Sequence, residues 1–448
     1  MKTTISLSTL TLLLLCQGFN FAHAQGTIIN ETFYSDALQE NRWLKIYLPE
    51  GYDPEDTTTS YPLVIFLHGG YVSQHSYPML FDALDDLTWT GAGDPPEGYI
   101  HPLILVAPDG NADLFGGLTW WSDSEVNGDF ERYVHEDVID YMDSAYNSSG
   151  TLANRAIMGH SMGGYGAVTI AMRNLDRFIA VSTFGGVVEL TITLEGITPW
   201  ILEENGGSGP FNPAAGVWTE ILHSFSAAFS PDLNQNPYPV NLPIENDGSV
   251  IDSVWTRWQL ENPPHIAYFL PESDLGIYLH CGLQDELWID TNRAFRDSLL
   301  ALGIPCRLDE FEGDHNNQLG ERMTLSLQYF DSLFVHQELV SPTDRGAQPP
   351  SFVLHGNFPN PFNPTTTIEF ALSCPQEISL EVFNLSGERV GVISGRMYPA
   401  GTHQVTFDTA TGSGYTASHQ IGSLPSGIYI YRMTADGNTV SRKMMLIR

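Results

Sequence analysis

Gly159-His160-Ser161-Met162-Gly163 sets one serine between two glycines, with Arg155-Ala-Ile-Met ahead of it and Gly164-Tyr-Gly-Ala-Val-Thr-Ile-Ala-Met behind. The leading run reads as a strand and the trailing run as a helix, so Ser161 falls on a sharp strand-to-helix turn. A turn of this kind strains the residue at its apex and lifts its hydroxyl above the sheet edge, at the positive end of the helix. Gly159 and Gly163 keep bulk away where strand and helix crowd together, and Gly164 adds slack. A hydroxyl is a poor nucleophile at its own pKa and needs a neighbouring base. In this layout the chain order is nucleophile, acid, base. Arg307-Leu-Asp-Glu-Phe-Glu-Gly-Asp-His315 delivers His315 just past one predicted strand. Tyr278-Leu-His-Cys-Gly-Leu-Gln-Asp285 delivers Asp285 three residues beyond the glycine that ends the preceding one. Among rival acids, Asp274 falls before its strand, Asp290 and Asp314 are less well spaced, and Glu286 points elsewhere. The chemistry implied is acyl transfer, with Ser161 attacking a carbonyl, His315 taking the proton and Asp285 fixing the imidazole tautomer.

A tetrahedral intermediate needs amide donors already in place. The N–H of Met162, directly after the nucleophile, is one. The other is expected from the loop after Leu63-Val-Ile-Phe-Leu-His-Gly-Gly70, as the Gly70 N–H with Tyr71 as its rival. His68 is read as a brace for that loop. Substrate contact is assigned to Tyr71, Trp120, Trp121 and His160; two adjacent indoles on an extended chain point opposite ways, so one of them can face the cleft. Asp109, Asn111 and Asp113 have the spacing of a calcium loop without its closing bidentate acid. No His/Cys cluster suggests zinc and no Gly-Lys-Ser/Thr motif would cradle phosphate, so neither a metal nor a cofactor is expected.

The elements that must hold these residues follow from the apolar runs. Strands are expected at Leu63–Leu67, Leu103–Ala107, Arg155–Gly159, Ile179–Thr183, Ile277–Cys281 and Arg307–Phe311. Helices are expected at Tyr133–Tyr146, Gly164–Arg173, Arg293–Leu302 and Met323–Val335. Buried runs interleaved with helices specify an α/β architecture, a mostly parallel sheet with helices on both faces. Together with the serine turn, that pattern leads us to expect the α/β-hydrolase fold. Residues 190–274, rich in Pro, Gly, Asn and Trp, fit neither template and read as an insertion over the sheet's C-terminal edge. Past a polar, proline-rich linker at 340–351, only short alternating runs remain, which indicate a small all-β, immunoglobulin-like sandwich over 352–448.

The first 24 residues read as an export signal: Lys2, an apolar core over Ile5–Cys16, and Ala22-His-Ala24 as the cleavage site. The enzyme-like region then spans 25–339. That apolar run is too short to span a bilayer, so no stable membrane insertion is expected. Three cysteines remain after cleavage, an odd and sparse set that reads as three buried free thiols. The 448-residue chain has a net charge of −34, and because residues 352–448 hold six acids and six bases, the excess lies entirely before them. So acidic a body repels nucleic acid and anionic membranes.

Further motifs sharpen these expectations. Tyr47-Leu-Pro-Glu-Gly-Tyr52, Phe66-Leu-His-Gly-Gly70, Glu131-Arg-Tyr-Val-His-Glu-Asp137, Gly159-His-Ser-Met-Gly-Gly164, Cys281-Gly-Leu-Gln-Asp285 and Gly313-Asp-His315 occur in that order. From about Arg42 to Val335 the chain thereby resembles the esterase D-like group of α/β-hydrolases, which includes feruloyl and acetyl-xylan esterases, S-formylglutathione hydrolases, enterochelin-type esterases and mycolyltransferases. The resemblance implies Ser161, Asp285 and His315 as a triad. The divergent 190–274 insertion departs from the pattern and leaves acyl and alcohol preference open. Asn357-Phe-Pro-Asn-Pro-Phe-Asn-Pro, Leu424-Pro-Ser-Gly-Ile-Tyr-Ile-Tyr-Arg432 and the closing Ser441-Arg-Lys-Met-Met-Leu-Ile-Arg448 resemble the C-terminal sorting domain of the type IX (Por) secretion system of Bacteroidetes and relatives. It implies passage through the periplasm and across the outer membrane, with the secretion machinery as partner and release or surface attachment afterwards. The expected substrate is an ester, carbohydrate-linked feruloyl or acetyl groups first. Acyl transfer to a sugar and siderophore, lipid or polyester cleavage are the alternatives, with a non-catalytic binding protein on a hydrolase scaffold as the different class.

Overall fold

Val64, Phe66 and Leu105 face one side of a central sheet while Leu63, Ile65 and Ile104 face the other, and all six are fully buried. Runs of this kind have no polar face to offer water and must be covered on both sides. The computed structural model describes residues 26–334 and 352–446, except 57, 92, 207–210, 213, 269, 271–272, 359, 361, 373, 385–388, 410–423 and 436–437. Within it the sheet has eight strands: β1 (Thr27–Ser35), β2 (Glu40–Leu48), β3 (Leu63–Leu67), β4 (Ile104–Pro108), β5 (Arg155–His160), β6 (Ala180–Phe184), β7 (Gly276–Gly282) and β8 (Arg307–Phe311). Their order is β1-β2-β4-β3-β5-β6-β7-β8. β1 and β2 form an antiparallel hairpin and β2 runs antiparallel to β4; every later pairing is parallel. The architecture is thus the α/β arrangement expected, extended by a hairpin that the sequence reading did not anticipate.

In chain order the helices are α1 (Pro78–Leu87), α2 (130–145, π-wound over Tyr133–Val138), α3 (Met162–Arg173), α4 (Leu190–Asn205), α5 (Val217–Phe229), α6 (Asp252–Gln259), α7 (Pro263–Tyr268), α8 (Trp288–Ala301) and α9 (Leu319–Leu333). α1 and α9 cover one face with Leu80, Phe81, Leu84, Met323, Leu327 and Phe330. α2, α3 and α8 cover the other with Val134, Val138, Val168, Phe295 and Leu299. Each such side chain contributes about 1.5–3 kcal/mol by leaving water. Helices α4 to α7 fill the interval between β6 and β7, where neither strand nor helix was legible.

The C-terminal residues form two antiparallel sheets. Strands β9 (Phe352–Phe358), β10 (Thr365–Leu372), β11 (Gln376–Phe383), β12 (Arg389–Tyr398), β13 (Gly401–Asp408), β14 (Gly427–Ala435) and β15 (Asn438–Leu446) pair as β9-β10-β13 and β12-β11-β14-β15. Alternate residues, among them Ile368, Phe370, Leu380, Val382, Tyr431 and Met433, join in one apolar core of their own. The expected export signal (1–24) and linker (340–351) lie outside the described residues. Among the described residues no helix is long and apolar enough to cross a membrane. Cys281 is buried, Cys306 partly buried and Cys374 exposed, and none is paired. The expectation of three buried thiols therefore holds for Cys281 alone.

Candidate active site

In chain order the sheet grows outward from β3 to β4 and then restarts on the other side of β3 with β5. That reversal is a topological switch point, where loops leaving the C-terminal ends of two adjacent strands diverge and open a crevice. The loops at this point are His68–Tyr71 after β3 and Ser161 after β5.

Ser161 has φ 56° and ψ −117°, a left-handed strained backbone for a residue with a side chain. Its N–H donates to Phe184 O at 2.9 Å, and α3 begins at the next residue. The glycines make the turn possible. A Cβ on Gly159 would collide with the Gly163 carbonyl, and one on Gly163 would collide with the Leu67 carbonyl. Gly164 does more than add slack: a Cβ there would strike Thr183 Oγ1 and crowd Gly186 Cα, so its absence lets α3 lie against the loop after β6.

His315 follows β8 and Asp285 follows β7. The Asp285 carboxylate is 7% exposed and accepts from His315 Nδ1–H at 2.8 Å, with His315 26% exposed. This leaves Nε2 of His315 as the free ring nitrogen. The rivals do not compete: Asp274 and Glu286 are exposed, Asp290 sits near Arg293, and Asp314 Oδ1 accepts from the Asn316 and Asn317 amides. Cys281 points its thiol at the same Asp285 oxygen, 3.8 Å away, and burial and the carboxylate together push that thiol well above its ordinary pKa. Gly185, at φ 54°, lies under the pair: a Cβ there would sit 2.9 Å from His315 Nδ1 and 3.0 Å from Asp285 Oδ2. Among the described residues no hydrogen bond of His315 reaches Ser161; its partners are Asp285 and, through its carbonyl, His160. Such contacts commonly close only once substrate is bound.

Met162 is the first residue of α3, so its N–H has no intrahelical partner. In the β3 loop the Gly69 N–H is taken by the Tyr77 hydroxyl at 3.0 Å, which leaves Gly70 and Tyr71 as donors. Gly70 is pressed against Leu118, which would collide with a Cβ. His68 braces this loop from beneath. Gly110 N–H donates to its Nε2 at 2.9 Å, so Nδ1 carries the proton and donates to Gly69 O at 2.8 Å. Burial lowers its pKa to about 4, which keeps it neutral in that role.

Three of the four residues assigned to substrate contact lie elsewhere. Trp121 is fully buried and donates from Nε1 to His68 O at 3.2 Å, as part of the same brace. Trp120, 4% exposed, donates to Ser224 Oγ at 2.9 Å and stacks on Phe225 at 3.7 Å, tying the β4 loop to α5. Both have positive φ, 54° and 53°, so the extended chain that would have sent one indole into the cleft is not formed. His160 is 5% exposed, with both ring nitrogens bonded within the protein. Tyr71 alone is open, at 49%, its hydroxyl held by Glu220 of α5 at 2.8 Å. Sequence reasoning missed Tyr77, Gly185, Glu220 and Trp288, whose ring lies 6.3 Å from that of His315. Among the described residues no cluster of three or more His, Cys, Asp or Glu could hold a metal ion.

Sheet order, strained serine turn and carboxylate-held imidazole together define an α/β-hydrolase. Within that class the chain belongs to the family described as "Putative esterase", whose model matches residues 35–319. Residues 357–447 match a second model, "Secretion system C-terminal sorting domain". An esterase of Mycobacterium tuberculosis is 26% identical over 186 residues, 39% of this chain and 37% of that protein. An endo-1,4-beta-xylanase/feruloyl esterase of Xylanibacter ruminicola is 28% identical over 160 residues, 34% of this chain and 20% of that one. The chain thus spans little more than a third, at most, of these relatives. Among solved structures, a ferulic acid esterase aligns with 69% of this chain and 99% of its own, at a TM-score of 0.49 and 18% identity. A ferulic acid esterase of Anaeromyces mucronatus aligns with 69% and 92%, at 0.42 and 16%.

Proposed function

We propose that this chain is a secreted carboxylic-ester hydrolase that works through a Ser161 acyl-enzyme. The observation that carries the reading is the Asp285-held imidazole of His315, on the same sheet edge as a serine strained to φ 56°. Ser161 Oγ attacks the ester carbonyl as His315 Nε2 removes its proton. Asp285 holds the Nδ1–H tautomer and stabilises the imidazolium. The amides of Met162 and Gly70 receive the oxyanion, the alcohol leaves with the proton from His315, and water repeats the cycle on the acyl-enzyme.

Feruloyl or acetyl groups on carbohydrates are the proposed substrates, supported by the export signal and by the xylanase/feruloyl esterase relative. The type IX machinery is the proposed export partner, supported by the match over 357–447. An activated fluorophosphonate read by intact mass tests the chemistry: wild type gains one adduct and Ser161→Ala none. An unlabelled wild type, or an equally labelled variant, would sink the enzyme reading. Methyl ferulate and acetylated xylan beside p-nitrophenyl esters test the substrate class, which fails if only the activated esters turn over. Deleting residues 352–448 should strand the enzyme in the periplasm, and normal export of that truncation would refute the sorting role.

A further inference from the structure

Behind Ser161, three parts of the machinery meet through two buried side chains. Gly69 N–H reaches the Tyr77 hydroxyl at 3.0 Å, that hydroxyl lies 2.9 Å from His160 Nδ1, and His160 Nε2 lies 3.0 Å from the carbonyl oxygen of His315. The directions are fixed by chemistry. A carbonyl only accepts, so Nε2 carries the proton; Nδ1 is then an acceptor, so Tyr77 donates to it and receives Gly69 N–H on a lone pair. We propose that Tyr77 and His160 are positioning residues, a one-way hydrogen-bond chain that locks the oxyanion loop to the backbone of the general base. The proposal rests on the esterase reading above, which supplies the roles of the two ends.

Packing makes the chain a brace as well as a set of bonds. The His160 ring lies 4.8 Å from the His315 ring on one side and edge-on to Tyr77 at 5.8 Å on the other. Tyr77 is 4% exposed and seats its own ring on Phe66 at 4.7 Å. Gly69 touches the junction so closely that a Cβ would sit 3.1 Å from Tyr77 Oη and 3.2 Å from His160 Nδ1. A shift of the β3 loop therefore moves the His315 carbonyl, and a shift of the β8 loop moves the amide next to the oxyanion donor. His160 can hold both only while neutral, and burial keeps it so, its pKa lowered to about 3.

The test uses the full chain with p-nitrophenyl acetate for kcat and KM, after fluorophosphonate labelling has located the nucleophile. Tyr77→Phe keeps the ring and removes the hydroxyl; kcat should fall about 10-fold or more with KM within two-fold, since misplacement costs rate rather than binding. His160→Gln keeps a donor near the Nε2 position and loses the acceptor at Nδ1, whereas His160→Asn keeps an acceptor near Nδ1 and loses the donor. Each breaks one half of the chain and should lower kcat comparably. The double variant Tyr77→Phe/His160→Gln should be no slower than Tyr77→Phe, because without the hydroxyl the Nδ1 acceptor has already lost its partner. Multiplying losses, or single variants within two-fold of wild-type kcat, would overturn the brace while leaving the nucleophile assignment standing. Should Tyr77→Phe not fold, His160→Gln carries the same comparison. Labelling at a residue other than Ser161 would bring down the esterase reading and the brace together.

Discussion

Gly185 shows how closely the site is fitted at the level of single atoms. It sits at φ 54° and leaves no room for a side chain beneath His315 and Asp285. Gly185→Ala should therefore strain the backbone by about 1 kcal/mol and push the imidazole off its bond to Asp285, away from the place the proposed mechanism gives it. A displacement of that kind costs about 100-fold in kcat, with the thermal midpoint lowered by only a few degrees. Steady-state kinetics beside a melting curve check this, and a kcat within three-fold of wild type would show that the pair tolerates the wedge. The strained turn at Ser161 and the pairing of Asp285 with His315 were legible in the sequence because type, order and strand position constrain them together. Gly185 was not, because its importance comes from His315, far along the chain. Tyr77 hid for the same reason, its partners being a loop amide and a histidine 83 residues on. Trp120 and Trp121 were misread because their positive φ values come from the loop they occupy, and no local pattern of residues announces that.

At the level of elements, legibility tracked burial. Strands β3, β5 and β6 are buried at every position, so their apolar runs were visible within a residue or so of the observed ends. α8 was placed too late, at Arg293, because its first turn is built on Asp285, whose carbonyl accepts the amides of Trp288 and Ile289. The β1–β2 hairpin escaped notice since β1 is an edge strand whose residues are mostly exposed or half-buried. Helices α4 to α7 escaped for another reason: α4 contains Pro199, and the segment's turns carry much of its composition. Their placement has a consequence for the site. α5 grips Tyr71 through Glu220 and Trp120 through Ser224 and Phe225, so one helix ties the β3 loop beside the crevice to the neighbouring β4 loop. The segment least readable in sequence is thus the one that holds Tyr71, the open residue of the β3 loop.

For the whole molecule, acidity and buried histidines oppose each other. Net charge of −34 repels itself, so discharging carboxylates on acidification should favour the folded state. His68, His160 and His280 work in the other sense. Burial lowers them from 6.5 to about 4, 3 and 3 respectively, and His280 is held by Ser326, itself bonded to Ser182. Unfolded, all three titrate normally, so between pH 6.5 and their folded values the unfolded chain binds more protons and stability falls as the pH is lowered. The limiting slope is about 1.4 kcal/mol per pH unit for each histidine, and burial lowers His135, His223 and His265 as well. Most carboxylates titrate below about pH 5, so the interval from 6.5 to 5 isolates the histidines. All nine tryptophans precede residue 340, so tryptophan fluorescence in urea reports the α/β region alone. Stability measured this way should decline from pH 6.5 to 5, and His280→Gln, remote from the chemistry, should flatten the decline by at most about 1.4 kcal/mol per pH unit. A flat or rising profile in wild type would mean that charge relief outweighs the histidines; an unchanged slope in the variant would show that His280 is not one of the groups that set it.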